Sequence, residues 1–291
     1  MKRARPVPPF GSTADFCIRQ ENSVFVPEVP ALPWCLPLWT VLATESPAGA
    51  PPSVQRLDAL ARARGIVAGN GLPLRFVCAG GSGLSPVART WWLGEVEVRP
   101  GCWHDAFNAL AWLTFPQLKS ALNQGQHQAM AALSDAPTRE ESARVERVAA
   151  CARACARFDT HGVVVASTQA QHGQIQAEHF DGRGNIGGRV FVLGHTLYDL
   201  LRHPQLRPCG AAMFLHVDED WLQQPLAAQI AAVDALLARR YVGTLGMGMR
   251  TRWHRLRPWP LPDQAAVGGA CRTAATAATA ASPLRVAVKT M

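Results

Sequence analysis

Three polar residues stand out in a segment that is otherwise strongly apolar, Trp103 to Pro116. The polar members are His104, Asp105 and Asn108. At about 100° per residue on a helical wheel, these three side chains fall in one wedge. A histidine beside a carboxylate is a common arrangement for proton transfer or for metal binding. The segment is therefore the first place to look for chemistry.

The rest of this segment is apolar almost all round, which is typical of a helix in the protein interior. Polar groups buried in such a helix need hydrogen-bond partners, and each unpaired group costs about 1–3 kcal/mol. One interpretation is therefore a functional site. The other is structural, with Asp105 capping the helix while His104 and Asn108 hold a neighbouring loop.

A second polar feature lies around two apolar runs that are typical of buried strands, 163–167 and 190–193. Asp159 precedes the first run, and His195 follows the second through Gly194. If the two strands pair antiparallel, Asp159 and His195 come to the same edge of the sheet. One cleft could then hold all the candidate site residues: His104, Asp105, Asn108, Asp159 and His195.

The elements needed to position these residues predict an α/β (or α+β) protein with one main domain. Helices are expected over 54–64, from 103, from 116, before 159, after 195 and over 225–240, with short strands near 74–78, 163–166, 190–193 and 211–217. We expect a small mixed sheet packed by helices. The predicted domains are a proline-rich irregular arm (1–33), the main domain (34–260) and a disordered low-complexity tail (261–291).

Composition limits the partners and the compartment. The net charge is +8, but the arginines are scattered, so a nucleic-acid partner is possible and only weakly supported. Prolines interrupt the region where a secretory signal would need an apolar core, and no membrane partner is expected. The 8 cysteines are far apart in a chain large enough to fold without disulfides. We therefore expect a soluble bacterial protein with reduced thiols in the cytoplasm.

Familiar enzyme motifs give no support for a named cofactor or metal. The run Gly182 to Gly187 matches the pattern G-x-G-x-x-G, but a polar stretch precedes it and a strand follows, which fits a turn better than a dinucleotide loop. Cys151 and Cys155 lie one helical turn apart, yet nothing completes a zinc pattern. Cys155 is better explained as a small hydrophobic residue.

The segment from Trp103 to Asn123 resembles the bacterial family of unknown function DUF3025, whose signature is W-H-D-x-F-N-A-L-x-W-L-x-F-P-x-x-K-x-x-L-N. The resemblance extends over roughly residues 34–250 and includes Phe158-Asp159 and the run from Phe191 to Tyr198. The chain departs from the family pattern at Thr160 and at Asp199, where acidic and glutamate residues are expected. These departures make a carboxylate-rich metal site less favoured. The resemblance implies no assigned activity.

Two functions are consistent with the sequence. The first is a hydrolase in which His104 or His195 is the base or a metal ligand, Asp105 or Asp159 orients it, and Asn108 donates a hydrogen bond to the substrate. The second is a binding or scaffold protein in which the same residues are structural and the arginines contact nucleic acid or another acidic partner.

Overall fold

The computed structural model describes residues 50–81, 83–134, 142–171, 188–201, 209–244 and 252–255. In chain order its helices are α1 (Val54–Ala63), α2 (Pro86–Leu93), α3 (Trp103–Thr114), α4 (Pro116–Ser134), α5 (Ser142–His161), α6 (His195–Leu201), α7 (Glu219–Leu222) and α8 (Leu226–Thr244). Its strands are β1 (Arg75–Cys78), β2 (Glu95–Val98), β3 (Gly162–Ser167), β4 (Arg189–Val192), β5 (Cys209–His216) and β6 (Arg252–Arg255).

The strands form two small sheets. In the larger one the order is β4-β3-β5-β6, with β3 and β5 parallel and the two outer pairs antiparallel. Strands β1 and β2 form a separate parallel pair. The predicted mixed α/β architecture, a small mixed sheet packed by helices, is confirmed.

Strand β3 is buried along its whole length because helices cover both faces of the larger sheet. Side chains alternate between the faces of a strand. Val163 and Val165 accordingly lie in one hydrophobic cluster with Leu110 of α3. Val164 lies in a second cluster with Leu118 of α4. The sheet therefore separates two parts of the core and connects them through one strand.

Helix α3 is the interior helix that its sequence predicts. Phe107, Leu110 and Leu113 are all buried on it. The helix ends at Thr114, because a residue that precedes proline, here Phe115, is disfavoured in the helical conformation. Pro116 then begins α4, a position where its missing N–H is no loss.

Helix α2 and strand β2 were not anticipated from the sequence, although the signals are present. Ser85 caps α2 by accepting a hydrogen bond from the backbone of Ala88. Gly94 ends the helix with a φ of 67°, a left-handed conformation that favours glycine. The helix is only 8 residues long and β2 follows at once, so neither element has enough length for a clear periodic pattern.

Several sequence predictions fall outside the described residues. These are the arm at 1–33, the tail at 261–291 and the glycine-rich run at 182–187. Cys155 is described, and it is buried in the second hydrophobic cluster. Among the helices of the described residues, none has the length and hydropathy needed to cross a membrane.

The start of α4 is held by a carboxylate from α8. Asp234 accepts hydrogen bonds from the backbone N–H groups of Gln117 (3.1 Å) and Leu118 (2.7 Å). These are among the N–H groups that a helix cannot satisfy internally. Burial raises the pKa of Asp234 to about 6, although the two backbone hydrogen bonds act in the opposite direction. This contact joins α8 to the helix that carries Lys119.

The raised pKa of Asp234 predicts a pH dependence of stability. An aspartate in an unfolded chain titrates near 3.9, so between about pH 4 and 6 the folded protein holds a proton that the unfolded chain has released. Raising the pH through this window therefore removes stability. We expect the free energy of unfolding of the wild type, relative to Asp234→Asn, to fall across this window in urea denaturation. A constant difference between the two proteins would contradict this.

Candidate functional site

The start of β3 and the end of β4 meet at one edge of the larger sheet. The two strands pair antiparallel, as the sequence analysis supposed, with Val163 opposite Val192. Beyond the pairing, the backbone N–H of Gly194 donates to the carbonyl of Gly162 at 3.0 Å. A side chain at position 194 would lie 2.5 Å from the carbonyl oxygen of Thr160. Glycine is therefore required for this close approach, which places the first residue of α6 directly against the end of α5.

Asp159 and His195 come together at this edge. His195 Nδ1 lies 2.9 Å from the backbone carbonyl oxygen of Asp159 and 3.9 Å from its carboxylate Oδ2. The side chain of His195 is 8% exposed. Because a carbonyl oxygen can only accept, Nδ1 must carry the proton. The neutral ring therefore has an unprotonated Nε2 that can accept a hydrogen bond or a proton.

His104 of α3 contacts the ring of His195. Their ring centroids are 4.9 Å apart, and the planes make an angle of 72°, so one ring meets the other edge-on. His104 is partly exposed. Within the described part of the chain, neither of its ring nitrogens makes a hydrogen bond. Among the described residues, the site thus contains one fixed imidazole and one imidazole whose nitrogens have no hydrogen-bond partner.

Lys119 connects these residues, and the sequence analysis did not name it. Its Nζ lies 2.5 Å from Asp159 Oδ1 and 2.8 Å from Asn108 Oδ1. The ammonium also lies 5.5 Å from the centroid of the Trp112 ring, within the range of a cation–π contact. A signal was available, because Lys119 is the lone lysine between residues 3 and 288 of an arginine-rich chain.

Asp105, in contrast, makes its hydrogen bonds to Arg99, and among the described residues it interacts with the histidine pair only electrostatically, through His104. Its carboxylate binds Arg99 through the guanidinium, with Nε at 2.7 Å and Nη2 at 2.9 Å, and through the backbone N–H at 2.9 Å. Burial raises the pKa of Asp105, but these contacts with Arg99 lower it by more, so that the carboxyl titrates below its usual range. Asp105 thus holds the turn that leads into α3, but it does not cap the helix as the structural interpretation supposed, because the N-cap residue is Cys102 and it has no side-chain cap hydrogen bond.

Four of the five residues predicted from the sequence therefore meet, and Asp105 faces elsewhere. The cluster comprises His104, Asn108, Lys119, Asp159 and His195. We refer to it below as the histidine–lysine cluster. Its side chains come from α3, α4, α5 and α6.

Burial and charge set the protonation states in the histidine–lysine cluster. Burial raises the pKa of Asp159, but the surrounding positive charge, chiefly the Lys119 ammonium, lowers it by more, so that it stays a carboxylate. For His195, burial has the largest effect and lowers the pKa to about 3, with Lys119 acting in the same direction and Asp159 against it. His195 is consequently neutral at physiological pH.

The donors of the cluster give limited evidence for a metal. Among the described residues, no group of three or more histidine, cysteine, aspartate or glutamate side chains is arranged to hold a metal ion. The arrangement does suit proton transfer. Within the part of the chain that the structure describes, the nitrogens of His104 and the Nδ2 amide of Asn108 make no hydrogen bond, and His195 offers an acceptor.

The ion pair at the centre of the cluster predicts a large effect on stability. Lys119→Met leaves the Asp159 carboxylate without its cation in a poorly hydrated position, which typically costs about 3–5 kcal/mol. We expect a loss of this size in the free energy of unfolding measured with urea. Arg62→Met is the control, because Arg62 is exposed and Asp58, its buried partner, keeps a second cation, Arg75, at 2.8 Å. Loss of such an exposed partner costs about 0–1 kcal/mol. Equal losses in the two variants would contradict the prediction.

Comparison with known proteins places the chain in a family. No curated protein and no solved structure matches it. Residues 87–270 match the model of a family described as "Protein of unknown function (DUF3025)". This match covers more than half of the chain and includes every residue of the histidine–lysine cluster. The chain therefore belongs to the DUF3025 family.

Proposed function

We propose that the protein is a hydrolase in which His104 transfers the proton. One observation supports this above the others. His104 is a partly exposed imidazole that contacts a fixed, neutral histidine, and within the described residues its own nitrogens have no hydrogen-bond partner. A histidine with a purely structural role inside a protein normally has its polar atoms paired.

In this proposal water is the nucleophile and the cluster supplies acid–base catalysis. His104 takes a proton from water as the water oxygen bonds to the electrophilic atom of the substrate. It then gives that proton to the leaving group as the scissile bond breaks. The Nδ2 amide of Asn108, one helical turn from His104, donates a hydrogen bond to the substrate oxygen that gains negative charge. His195 and Asp159 position the ring of His104.

The direct test is hydrolysis of chromogenic substrates by wild type and by His104→Gln. The panel is p-nitrophenyl acetate, p-nitrophenyl phosphate and bis(p-nitrophenyl) phosphate. We expect the wild type to hydrolyse at least one of them. His104→Gln should lower kcat/KM by about 10²–10⁴-fold, the usual contribution of general acid–base catalysis. The Tm should change little, because the ring is only partly buried and glutamine is a polar side chain of similar length.

His127→Gln is the matched control. His127 stacks on Trp91 at a ring-centroid distance of 4.4 Å and does not belong to the histidine–lysine cluster. Its substitution should leave kcat/KM unchanged. The proposal is wrong if the wild type turns over none of the panel, or if His104→Gln is as active as the wild type.

A second function, a binding or scaffold protein, is favoured by one specific observation. Asp159, Lys119 and Asn108 bind one another, as residues that only hold helices together would. In that case His104→Gln would lower the stability of the protein without affecting any catalytic activity. The arginines would bind nucleic acid or another acidic partner. Such binding would weaken steeply as salt is raised, because it depends on phosphate contacts. Fluorescence anisotropy with a labelled DNA duplex and a labelled single-stranded RNA at two salt concentrations measures this.

We also infer that the protein is bacterial and cytoplasmic, whichever of the two functions it has. The support is that four described cysteines are free thiols: Cys78, Cys102, Cys155 and Cys209. Reduced thiols are typical of cytosolic proteins.

A further inference from the structure

Lys119 is one of the most buried charged residues in the described part of the chain, with 5% of its surface exposed. Lysine is almost never buried to this extent unless its charge is paired. Two oxygens from different helices accept hydrogen bonds from the ammonium, Asn108 Oδ1 and Asp159 Oδ1. The ring of Trp112 covers another side. The N–H donors of the Lys119 ammonium are therefore directed at protein groups.

We propose that Lys119 is a positioning residue that balances the charge of the Asp159 carboxylate and thereby keeps the neighbouring imidazole of His195 uncharged, so that Nε2 of His195 stays an acceptor in the site. The value of this acceptor for catalysis rests on the proposed function. The effect of Lys119 on the charge of His195 does not, and it can be measured separately.

The charges around His195 explain why a lysine is needed. Among the described residues, the titratable groups that face it are Asp159 from α5, Lys119 from α4 and His104 from α3. A buried carboxylate next to an imidazole favours the imidazolium, because opposite charges attract strongly where water is scarce. Lys119 balances the charge of Asp159. Burial then keeps His195 neutral.

Without this balance the site would have different chemistry. The Asp159 carboxylate, 3.9 Å from Nδ1, would have His195 as its nearest cation. An imidazolium has both nitrogens protonated and can only donate. His195 would then offer a donor and a positive charge to the ring of His104. Proton uptake by His104 would become less favourable beside this charge.

Two variants break the ion pair between Lys119 and Asp159, and we expect them to change the pKa of His195 in opposite directions. Lys119→Met removes the cation, so the Asp159 carboxylate acts alone and the pKa of His195 should rise by at least one unit, a tenfold change in the imidazolium population at a given pH. Asp159→Asn removes the anion and leaves the Lys119 cation, so the pKa of His195 should fall below its wild-type value of about 3. The ¹⁵N shifts of the ring, measured by NMR from about pH 3 to 8 in the full chain so that a rise of one unit is visible, report both the charge and the tautomer.

The controls separate positioning from stability. Lys119→Arg keeps the charge and should retain the neutral tautomer. Lys119→Gln, which keeps a hydrogen-bond donor, is the second variant if Lys119→Met does not fold, and it too should raise the pKa of His195. If Lys119→Met and Asp159→Asn both lower the Tm while the titration of His195 is unchanged, Lys119 is only structural and the inference is wrong.

The NMR result is also distinct from that of the hydrolase assay. A rise in the pKa of His195 in Lys119→Met supports the inference even if His104→Gln shows no loss of turnover, which would overturn the hydrolase alone. Conversely, the wild type could prove to be a hydrolase while His195 titrates identically in Lys119→Met and Asp159→Asn. That outcome would overturn the role of Lys119 and leave the hydrolase proposal standing.

Discussion

The buried ion pair between Lys119 and Asp159 determines how the helices around the histidine–lysine cluster are arranged. It joins α4 to α5 directly. Asn108 extends it to α3, and the backbone carbonyl of Asp159 extends it to His195 at the start of α6. Moving two charges out of water costs several kcal/mol per ion. A pair of this kind therefore adds little net stability, but any packing of the four helices that separates the charges is strongly disfavoured.

The large sheet complements this polar contact by fixing where the helices begin and end. Gly162 begins β3 directly after α5. Its carbonyl oxygen accepts hydrogen bonds from the backbone of Leu193 and Gly194, which follow β4. The two faces of β3 contact different parts of the core. A displacement of this strand would consequently disturb both parts of the core and the cluster at its edge.

The main elements and four of the cluster residues could be predicted from the sequence because their signals are local. A run of valines predicts β3, the apolar wheel predicts α3, and the spacing of His104 and Asn108 places them on one helical face. Antiparallel pairing then brings Asp159 next to His195. Local patterns could not show that Asp105 binds Arg99, because on the helical wheel Asp105 lies in the same wedge as His104 and Asn108. Lys119 was missed because its partners come from other helices, and buried charge is visible only after the helices are packed.

The close approach at Gly194 has a consequence for how the site would respond to a ligand. Only Leu193 and Gly194 separate the end of β4 from His195, and the backbone there contacts the end of α5. The imidazole of His195 thus has few alternative positions before anything binds, and little conformational entropy remains to be lost when it engages a ligand. Adaptation to ligands of different shape would therefore fall to the more exposed ring of His104.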